Sequence, residues 1–271
     1  SACCKKSTMS SKVELSGGYF TVYTSFYDLR LHFATSTRFK WICHSHGFCA
    51  CRSRFVAQLK PAAVQAGRPE PMSVQAMHST VSQGFGGRLD IVVNNAARME
   101  PYEPFLDSDP DVYWQTWEVN VQGLFNMART FLPMQLSTHA STNGSCIIIN
   151  VSSSGALSAR SGSGGYRTSK LAILRWTESL QLEYGDKGLL TFCVNPGAIK
   201  TKISEDILPG TVRDALPDRP DIAGDTIAWL AAERREWLGG RYVSCPWDME
   251  ELMKKKDEIV EKDQLKMRMV F

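Results

Sequence analysis

Three short apolar runs constrain the fold of this chain more than any other feature of its sequence. They cover 89–93, 146–151 and 189–194. Each run ends in a polar cluster, and the three clusters are Asn94-Asn95, Ser152-Ser153-Ser154 and Asn195-Pro196-Gly197. Apolar runs of this length are typical of strands that are buried on both faces of a parallel sheet. Because ligands bind at the carboxyl ends of such strands, the three clusters mark the predicted site.

Segments with helical spacing precede and separate these runs. Apolar residues recur at helical spacing over 70–84, and Ser73 is the predicted N-cap of this first helix. Two further helices are predicted over 111–136 and 166–184, the second of them closed by Gly185. The alternation predicts an α/β fold, a Rossmann-like doubly wound parallel sheet with crossover helices on both faces.

The length and charge of the chain limit the classes of protein to which it can belong. A chain of 271 residues is a common size for one α/β domain, so we predict a single domain over 1–271, atypical over 1–69 and recognisable over 70–271. The net charge of +3 is too balanced to indicate a nucleic-acid partner or an anionic membrane surface. No apolar stretch approaches the roughly 20 residues that a bilayer crossing needs. We therefore expect a cytoplasmic protein that acts on a small-molecule substrate.

Tyr166 and Lys170 are the strongest candidates for a catalytic pair. They lie four residues apart on a predicted helix, so their side chains project from the same face, one turn apart. A phenol with a pKa of about 10 exchanges protons poorly at neutral pH unless a nearby cation favours the phenolate. An exposed pair on a helix surface is the alternative interpretation. Ser153 at a strand end and Asn120 in the preceding helix favour a catalytic site.

With these four residues the chain resembles the short-chain dehydrogenase/reductase family, whose signature combines Tyr-x-x-x-Lys with an upstream serine and a helix asparagine. The resemblance implies that Tyr166 exchanges a proton with the substrate oxygen while hydride moves to or from a nicotinamide. It implies that Ser153 hydrogen-bonds the same oxygen. Lys170 would lower the pKa of Tyr166 and hold the nicotinamide ribose, and Asn120 would position a water molecule. A count back from the following glycine selects Ser152 instead of Ser153, whereas the count from Tyr166 selects Ser153.

Further family matches lie on the cofactor side of the predicted site. Ala97 follows an Asn-Asn-Ala turn at a position where the family usually has glycine. The implied cofactor is NADP or NAD, with NADP favoured by the resemblance. Arg129 matches a basic position of the family, and a plain surface charge on the helix is the alternative. The cofactor-binding residues that the resemblance implies are Asn94, Asn95, Arg129, Tyr166, Lys170, Pro196, Gly197, Ile199 and Thr201.

The first 69 residues show neither helical nor strand periodicity. The family binds the cofactor pyrophosphate on a glycine-rich turn after the first strand, but the expected place, 15–22, holds two glycines followed by bulky side chains. Three explanations are open. Residues 10–65 are an altered coding segment, or a genuine replacement that weakens dinucleotide binding, or a metal site at Cys43, His44, His46, Cys49 and Cys51. This spacing is cramped for zinc, so we predict no metal.

The leading hypothesis is an NAD(P)-dependent oxidoreductase acting on an alcohol/carbonyl pair. The pattern over 240–260 resembles family members linked to fungal secondary metabolism, which implies a role there. The alternative is a family-derived protein with lost or altered cofactor binding, acting as a non-redox cyclase-like enzyme or an inactive scaffold. The resemblance also implies a homodimer or homotetramer paired through the helices 111–136 and 166–184, and a substrate lid at 202–219.

Overall fold

A computed structural model of the chain describes residues 20–24, 55–59 and 71–269. These residues contain a six-stranded parallel sheet with the strand order β2-β1-β3-β4-β5-β6. The strands are β1 Phe20–Thr24, β2 Phe55–Leu59, β3 Ile91–Asn94, β4 Ile147–Val151, β5 Leu190–Asn195 and β6 Arg241–Ser244. The predicted α/β fold with a Rossmann-like doubly wound parallel sheet is confirmed.

The order of the strands creates a switch point between β1 and β3. The chain moves outward from β1 to β2, returns to β3 on the other side of β1, and continues through β4, β5 and β6. Open α/β sheets bind ligands in the crevice outside the carboxyl ends of the strands at such a point. Asn94, the last residue of β3, lies at this edge.

Strands β1 and β2 lie within residues 1–69, where the sequence shows no strand periodicity. β1 pairs in register with both of its neighbours, with Phe20 opposite Phe55 and Thr21 opposite Ile91. Each of the two strands has only five residues, which is too few to establish a period. Their strand conformation is set by pairing with segments distant in sequence. Such pairing cannot be predicted from a local sequence pattern.

The three helices that the spacing predicts are present, with different ends, and further helices follow them. They are α1 Pro71–Gly84, α2 Pro110–Trp117, α3 Gly123–Thr142, α4 Gly164–Tyr184, α5 Lys202–Ile207, α6 Gly210–Arg213, α7 Pro220–Ala232, α8 Met249–Lys254 and α9 Lys256–Glu261. Glu118–Gln122 forms a π-helical turn between α2 and α3, so the helix predicted over 111–136 belongs to a continuous helical segment from 110 to 142. Among the described residues, none of the helices has the length and apolar character needed to span a membrane.

Of two predicted helix ends, the start at Ser73 is corrected, and the end of α4 at Gly185 is confirmed. Ser73 is not an N-cap, because α1 begins at Pro71, and proline favours the first helical position. Gly185 follows α4 directly but keeps a right-handed helical conformation and begins a short 3-10 turn. The left-handed glycine that leads into β5 is Gly188, with a φ of 90°. A Cβ added there would lie 2.2 Å from Nε2 of His139, so glycine is required at this position.

Side chains alternate along β4 and fill a core on each face of the sheet. Ile148 belongs to a cluster with Phe131 of α3. Ile147 and Ile149 belong to the cluster on the other face, together with Leu230 of α7. All three isoleucines are fully buried, as expected of a strand that helices cover on both faces.

Phe131→Ala tests the core between α3 and the sheet. Phe131 is fully buried, so the variant leaves a cavity, and we expect the free energy of unfolding to fall by about 3–5 kcal/mol. Leu182→Ala is the control, because Leu182 is 77% exposed on α4 and its truncation should cost about 0.5 kcal/mol or less. Urea denaturation of the two variants gives the comparison. Equal losses in both would contradict this description of the core.

Candidate active site

The polar clusters that end β3, β4 and β5 lie side by side. The parallel register sets Asn94 opposite Asn150, and Val151 opposite Val194. Nδ2 of Asn94 donates a hydrogen bond to Oδ1 of Asn150 (2.8 Å), and Nδ2 of Asn150 donates to Oγ1 of Thr177 on α4 (2.9 Å). This chain of hydrogen bonds ties α4 to the carboxyl ends of the strands.

Tyr166 lies in the first turn of α4 and is half-buried. The side chain of Ser153 lies near enough to the phenol to affect its pKa. Burial raises the pKa of Tyr166 above its ordinary value, and the Ser153 side chain and the charge of Arg167 oppose this effect. The charge of Glu100 adds to the rise. At neutral pH the side chain is therefore a neutral phenol with a proton to donate.

Lys170 lies one turn beyond Tyr166 and has 1% of its surface exposed. Its Nζ donates a hydrogen bond to the carbonyl oxygen of Val151 (2.8 Å) and lies 5.6 Å from the centre of the Tyr166 ring. Burial lowers the pKa of Lys170 to about 8, against an opposing effect of Cys193. An ammonium group has three N–H donors, so the bond to Val151 leaves two for a ligand.

The positive charge that lowers the pKa of Tyr166 belongs to Arg167. The sequence predicts this effect for Lys170 instead. The pKa of Tyr166 is lowered by the charge of Arg167, while the ammonium of Lys170 turns toward the end of β4. Nε of Arg167 donates to the carbonyl oxygen of Gly162 (3.2 Å), and Nη1 donates to Oγ of Ser158 (3.1 Å). These two bonds hold the guanidinium beside the first turn of α4.

The two candidate serines have different partners. The hydroxyl of Ser152 is buried and donates to the carbonyl oxygen of Lys170 (2.9 Å). The hydroxyl of Ser153 accepts from the N–H of Gly155 (3.0 Å) and lies next to the phenol of Tyr166. The structure therefore places Ser153, the residue given by the count from Tyr166, against the phenol, while Ser152 supports α4.

Asn120 is buried in the π-helical turn between α2 and α3. Its Oδ1 accepts from the N–H of Arg98 (2.8 Å), and its Nδ2 donates to the carbonyl oxygen of Arg98 (2.9 Å) and to Oγ of Ser169 (2.9 Å). Turns of this kind interrupt α-helices mainly at functional sites. The side chain of Asn120 links the loop after β3 to α4, and both of its N–H donors are used in doing so. They are therefore not available for the predicted contact with water.

The residues predicted on the adenosine side lie at the end of β3, and Arg129 lies apart from them. Asn94 is buried, and its Oδ1 has no hydrogen-bond partner among the described residues. Asn95 is half-buried in the loop that follows. Arg129 is exposed on α3, nine residues and two and a half turns after Asn120, which puts it on the opposite side of the helical segment. Arg129 is therefore not part of the cluster around Tyr166.

The segment predicted to meet the nicotinamide is a loop that leaves β5. Pro196 and Gly197 follow β5 directly, and Gly197 has a φ of 107°. A Cβ added to Gly197 would lie 2.8 Å from Oδ2 of Asp218, and Ile199 forms a β-bridge with Asp218. Thr201 is exposed, and its hydroxyl caps the N-terminus of α5 in a capping box. The loop is therefore anchored at both of its ends.

The expected place of the pyrophosphate turn, 15–22, overlaps the first three residues of β1, and its other residues lie outside the described ones. Gly17 and Gly18 precede β1, whereas a pyrophosphate-binding turn follows the first strand. After Thr24, the last residue of β1, the sequence contains no glycine until Gly47. The glycines at the expected place therefore lie before β1 and not after it. The sequence directly after β1 contains no glycine-rich turn.

The Cys/His cluster at 43–51 also lies outside the described residues. In the part of the chain that the structure describes, no group of three or more His, Cys, Asp and Glu residues could hold a metal ion. Cys146, Cys193 and Cys245 are buried there, and burial raises the pKa of the first two thiols to about 12 and of the third to about 11. These three cysteines are therefore neutral thiols at neutral pH.

Two residues join the site without a signal in the sequence pattern. Oε1 of Glu100 accepts from the N–H of Tyr166 (3.0 Å), although Glu100 lies in a loop with no periodicity. Oγ of Ser169 donates to the carbonyl oxygen of Tyr166 (2.7 Å). The contact of Glu100 joins segments 66 residues apart in sequence, so only tertiary packing could show it.

Known sequences place the chain among related enzymes. The sequence profile of the family described as short chain dehydrogenase matches residues 57–211. The short chain dehydrogenase citE of Monascus ruber is 41% identical over 222 residues, which cover 78% of this chain and 74% of the relative. The short chain dehydrogenase andI of Emericella variicolor is 34% identical over 251 residues, which cover 85% of this chain and 84% of the relative.

Solved structures show the same fold. A 3-ketoacyl-(acyl-carrier-protein) reductase from Brucella melitensis, complexed with NADH, superimposes with a TM-score of 0.62 at 24% identity over 69% of this chain and 76% of that chain. A short chain dehydrogenase from Escherichia coli, complexed with NADPH, superimposes with a TM-score of 0.58 at 23% identity over 73% of this chain and 77% of that chain.

Lys170→Met tests the burial of the ammonium group through the pH dependence of stability. Below about pH 8, Lys170 is charged in the folded and unfolded states, and burial penalises the folded state in full. Between about 8 and the ordinary pKa of 10.5, the unfolded state binds more protons, so the wild type gains stability as the pH rises. The total gain relative to the variant should be about 3 kcal/mol.

Chemical denaturation of both proteins at a series of pH values between neutral and alkaline conditions measures this difference. The variant also loses the hydrogen bond to Val151, but that loss is a constant offset in this pH range. A difference in the free energy of unfolding that does not change with pH would contradict the burial of a titrating ammonium.

Proposed function

The chain belongs to the short-chain dehydrogenase family, and on that premise we propose that it is an NAD(P)-dependent oxidoreductase that interconverts an alcohol and a carbonyl compound. The observation that carries the proposal is the placement of Tyr166 and Lys170 one turn apart on α4, with Ser153 next to the phenol at the end of β4. Lys170 is buried one turn away with two unused N–H donors. A phenol and a hydroxyl that meet in this way present two donors to one carbonyl oxygen.

In the direction of reduction, Tyr166 donates its phenolic proton to the carbonyl oxygen of the substrate. The O–H bond of the phenol breaks, an O–H bond forms on the substrate, and the electron pair remains on the phenolate. The charge of Arg167 then stabilises the phenolate, since it lowers the pKa of Tyr166. Ser153 also donates to the substrate oxygen while negative charge develops there. A bound nicotinamide cofactor supplies the hydride.

The described residues fit the nicotinamide and ribose part of such a cofactor. Lys170 offers two donors, and among the described residues the buried Oδ1 of Asn94, at the switch point of the sheet, has no hydrogen-bond partner. The residues that we propose to line the rest of this cofactor site are Asn95, Tyr166, Pro196, Gly197, Ile199 and Thr201. Arg129 is left out, because it faces away from the cluster. Structures of this fold hold either NADH or NADPH, and the sequence resemblance favours NADP.

We place the reaction in secondary metabolism. This proposal rests on the resemblance of the segment 240–260 to family members with that role. Short chain dehydrogenases from Monascus, Emericella and Aspergillus, at 31–41% identity, are consistent with it. The proposed substrate is a small molecule that carries an oxidisable hydroxyl or a reducible carbonyl group.

Tyr166→Phe tests the assignment of the proton donor. The variant keeps the ring but lacks the hydroxyl, so we expect turnover to fall by roughly 100-fold or more while NADPH binding is retained. Turnover is measured as oxidation of NADPH or NADH in the presence of a panel of aliphatic and aromatic ketones. Tyr184→Phe, at the far end of the same helix, is the control and should turn over like the wild type. An active Tyr166→Phe enzyme would mean that another group supplies the proton.

The outer face of α2, α3 and α4 carries an apolar groove of about 510 Å³. Trp114 and Phe125 are exposed there, and the groove is also lined by Trp117, Val121, Ile173 and Trp176. Nε1 of Trp117 and Oε2 of Glu118 are buried with no hydrogen-bond partner among the described residues. Exposed apolar patches of this kind mark interaction sites. We propose that a second copy of the chain covers this face in a two-fold homodimer, and that a homotetramer would need a further interface.

Phe125→Asp tests this interface. A carboxylate in the middle of an apolar contact has no partner charge, so we expect the variant to be monomeric where the wild type is dimeric. Leu182→Asp adds the same charge at an exposed position outside the groove and should leave the dimer intact. Size-exclusion chromatography with light scattering gives the mass of each protein. A dimeric Phe125→Asp protein would place the interface elsewhere.

A further inference from the structure

Glu100 is a buried carboxylate that faces the first turn of α4. It has 2% of its surface exposed, and its Oε1 accepts from the N–H of Tyr166 (3.0 Å). Its Oε2 is buried with no hydrogen-bond partner among the described residues. Carboxylates are almost never fully buried unless they are paired, because burial of the charge costs folding free energy. The burial of Glu100 therefore indicates a functional role.

The start of α4 explains why a carboxylate is needed there. Ser163 occupies the N-cap position with a left-handed φ of 54°, and its side chain makes no capping hydrogen bond. The first N–H groups of a helix have no partner within the helix. Glu100 takes one of them, the N–H of Tyr166, and its negative charge also interacts favourably with the positive end of the helix dipole. A side chain from another loop thus replaces the local cap.

The peptide groups on both sides of Tyr166 are fixed by this network. Its N–H is bound by Glu100, and its carbonyl oxygen accepts from Oγ of Ser169 (2.7 Å). Ser169 in turn accepts from Asn120, which also holds both backbone groups of Arg98, two residues before Glu100. The loop segment 98–100 is therefore joined to the backbone around Tyr166 directly and through Asn120 and Ser169.

Close packing leaves the carboxylate little freedom. A Cβ added to Gly165 would lie 3.2 Å from Oε1 of Glu100 and 3.0 Å from the ring of Tyr113, so the first turn of α4 fits tightly between α2 and the loop. A Cβ added to Gly162 would lie 2.8 Å from the ring of Tyr102. Glu100 therefore keeps a fixed position relative to Tyr166.

The charged and titratable groups around this turn come from three elements. α4 contributes Tyr166, Arg167 and Lys170, α2 contributes Tyr113, and the loop itself contributes Arg98 and Tyr102. Arg167 lowers the pKa of Tyr166, and Glu100 raises it. The two charges oppose each other at the phenol.

We propose that Glu100 is a positioning residue for Tyr166, one that anchors the first turn of the catalytic helix and places a negative charge close to the phenol. This role rests on the proposed function, in which Tyr166 is the proton donor. Glu100 acts through the backbone and the electrostatic field, without touching the substrate.

Two variants separate the two parts of this role. Glu100→Gln keeps a carbonyl oxygen for the N–H of Tyr166 and loses only the charge, so the alkaline limb of the pH profile for ketone reduction should move to lower pH by roughly half a unit, with little change in the maximal rate. Glu100→Ala loses the anchor as well, and its kcat should fall by roughly 10-fold or more with a smaller change in the KM for NADPH. Asp90→Asn removes a different buried carboxylate, at the opposite end of β3, and should not move the limb.

A titration that needs no turnover separates this inference from the proposed function. The near-ultraviolet absorbance of the Tyr166 phenolate is obtained as the difference between wild type and Tyr166→Phe during alkaline titration, and again between Glu100→Gln and the double variant. Ionisation of Tyr166 at lower pH in the Glu100→Gln background supports the role of the charge, even if the wild type reduces no ketone. Identical ionisation curves in the two backgrounds would overturn it, whatever the activity of the wild type.

Discussion

The register of β3, β4 and β5 is the constraint on which the rest of the structure depends. Because the strands are parallel and in step, with Asn94 opposite Asn150, their polar ends meet at one edge of the sheet. The hydrogen bond from Asn150 to Thr177 then fixes α4 against that edge. A one-residue slip of β4 would turn Ile147, Ile148 and Ile149 to the wrong faces, so burial on both faces enforces the register that the site requires.

The site is built from polar groups that could not be buried singly. Lys170 is bonded to the end of β4, Asn120 uses its amide in three hydrogen bonds, and Glu100 binds the N–H of Tyr166. Each of them joins two different elements, so the network sets both the position and the ionisation of the phenol. Burial raises the pKa of Tyr166 and lowers that of Lys170. Burial in this low-dielectric environment therefore favours the uncharged form of both side chains.

The sequence predicts the features that are local and periodic. The strand ends, the helices and the spacing of Tyr166 and Lys170 repeat at fixed intervals, and the structure has these elements in the predicted order. The five-residue strands β1 and β2 carry no such period, and the π-helical turn that holds Asn120 looks in sequence like an ordinary helix. The effect of Glu100 depends on a contact that spans 66 residues of sequence, so it could not be predicted from spacing. Arg167 directly follows Tyr166, but the effect of its charge depends on where its side chain lies, which the four-residue spacing does not give.

Direct titration of the chain with NADPH and NADH tests the central claim, that this edge of the sheet holds a nicotinamide cofactor next to the proton donor. The two strands that flank the switch point are present, yet the sequence after β1 lacks glycine up to Gly47, so the cofactor would have to be held without a glycine-rich turn there. Binding is followed by the change in tryptophan fluorescence. Our account predicts saturable binding of at least one of the two in the micromolar range. No binding of either at millimolar concentration would contradict it.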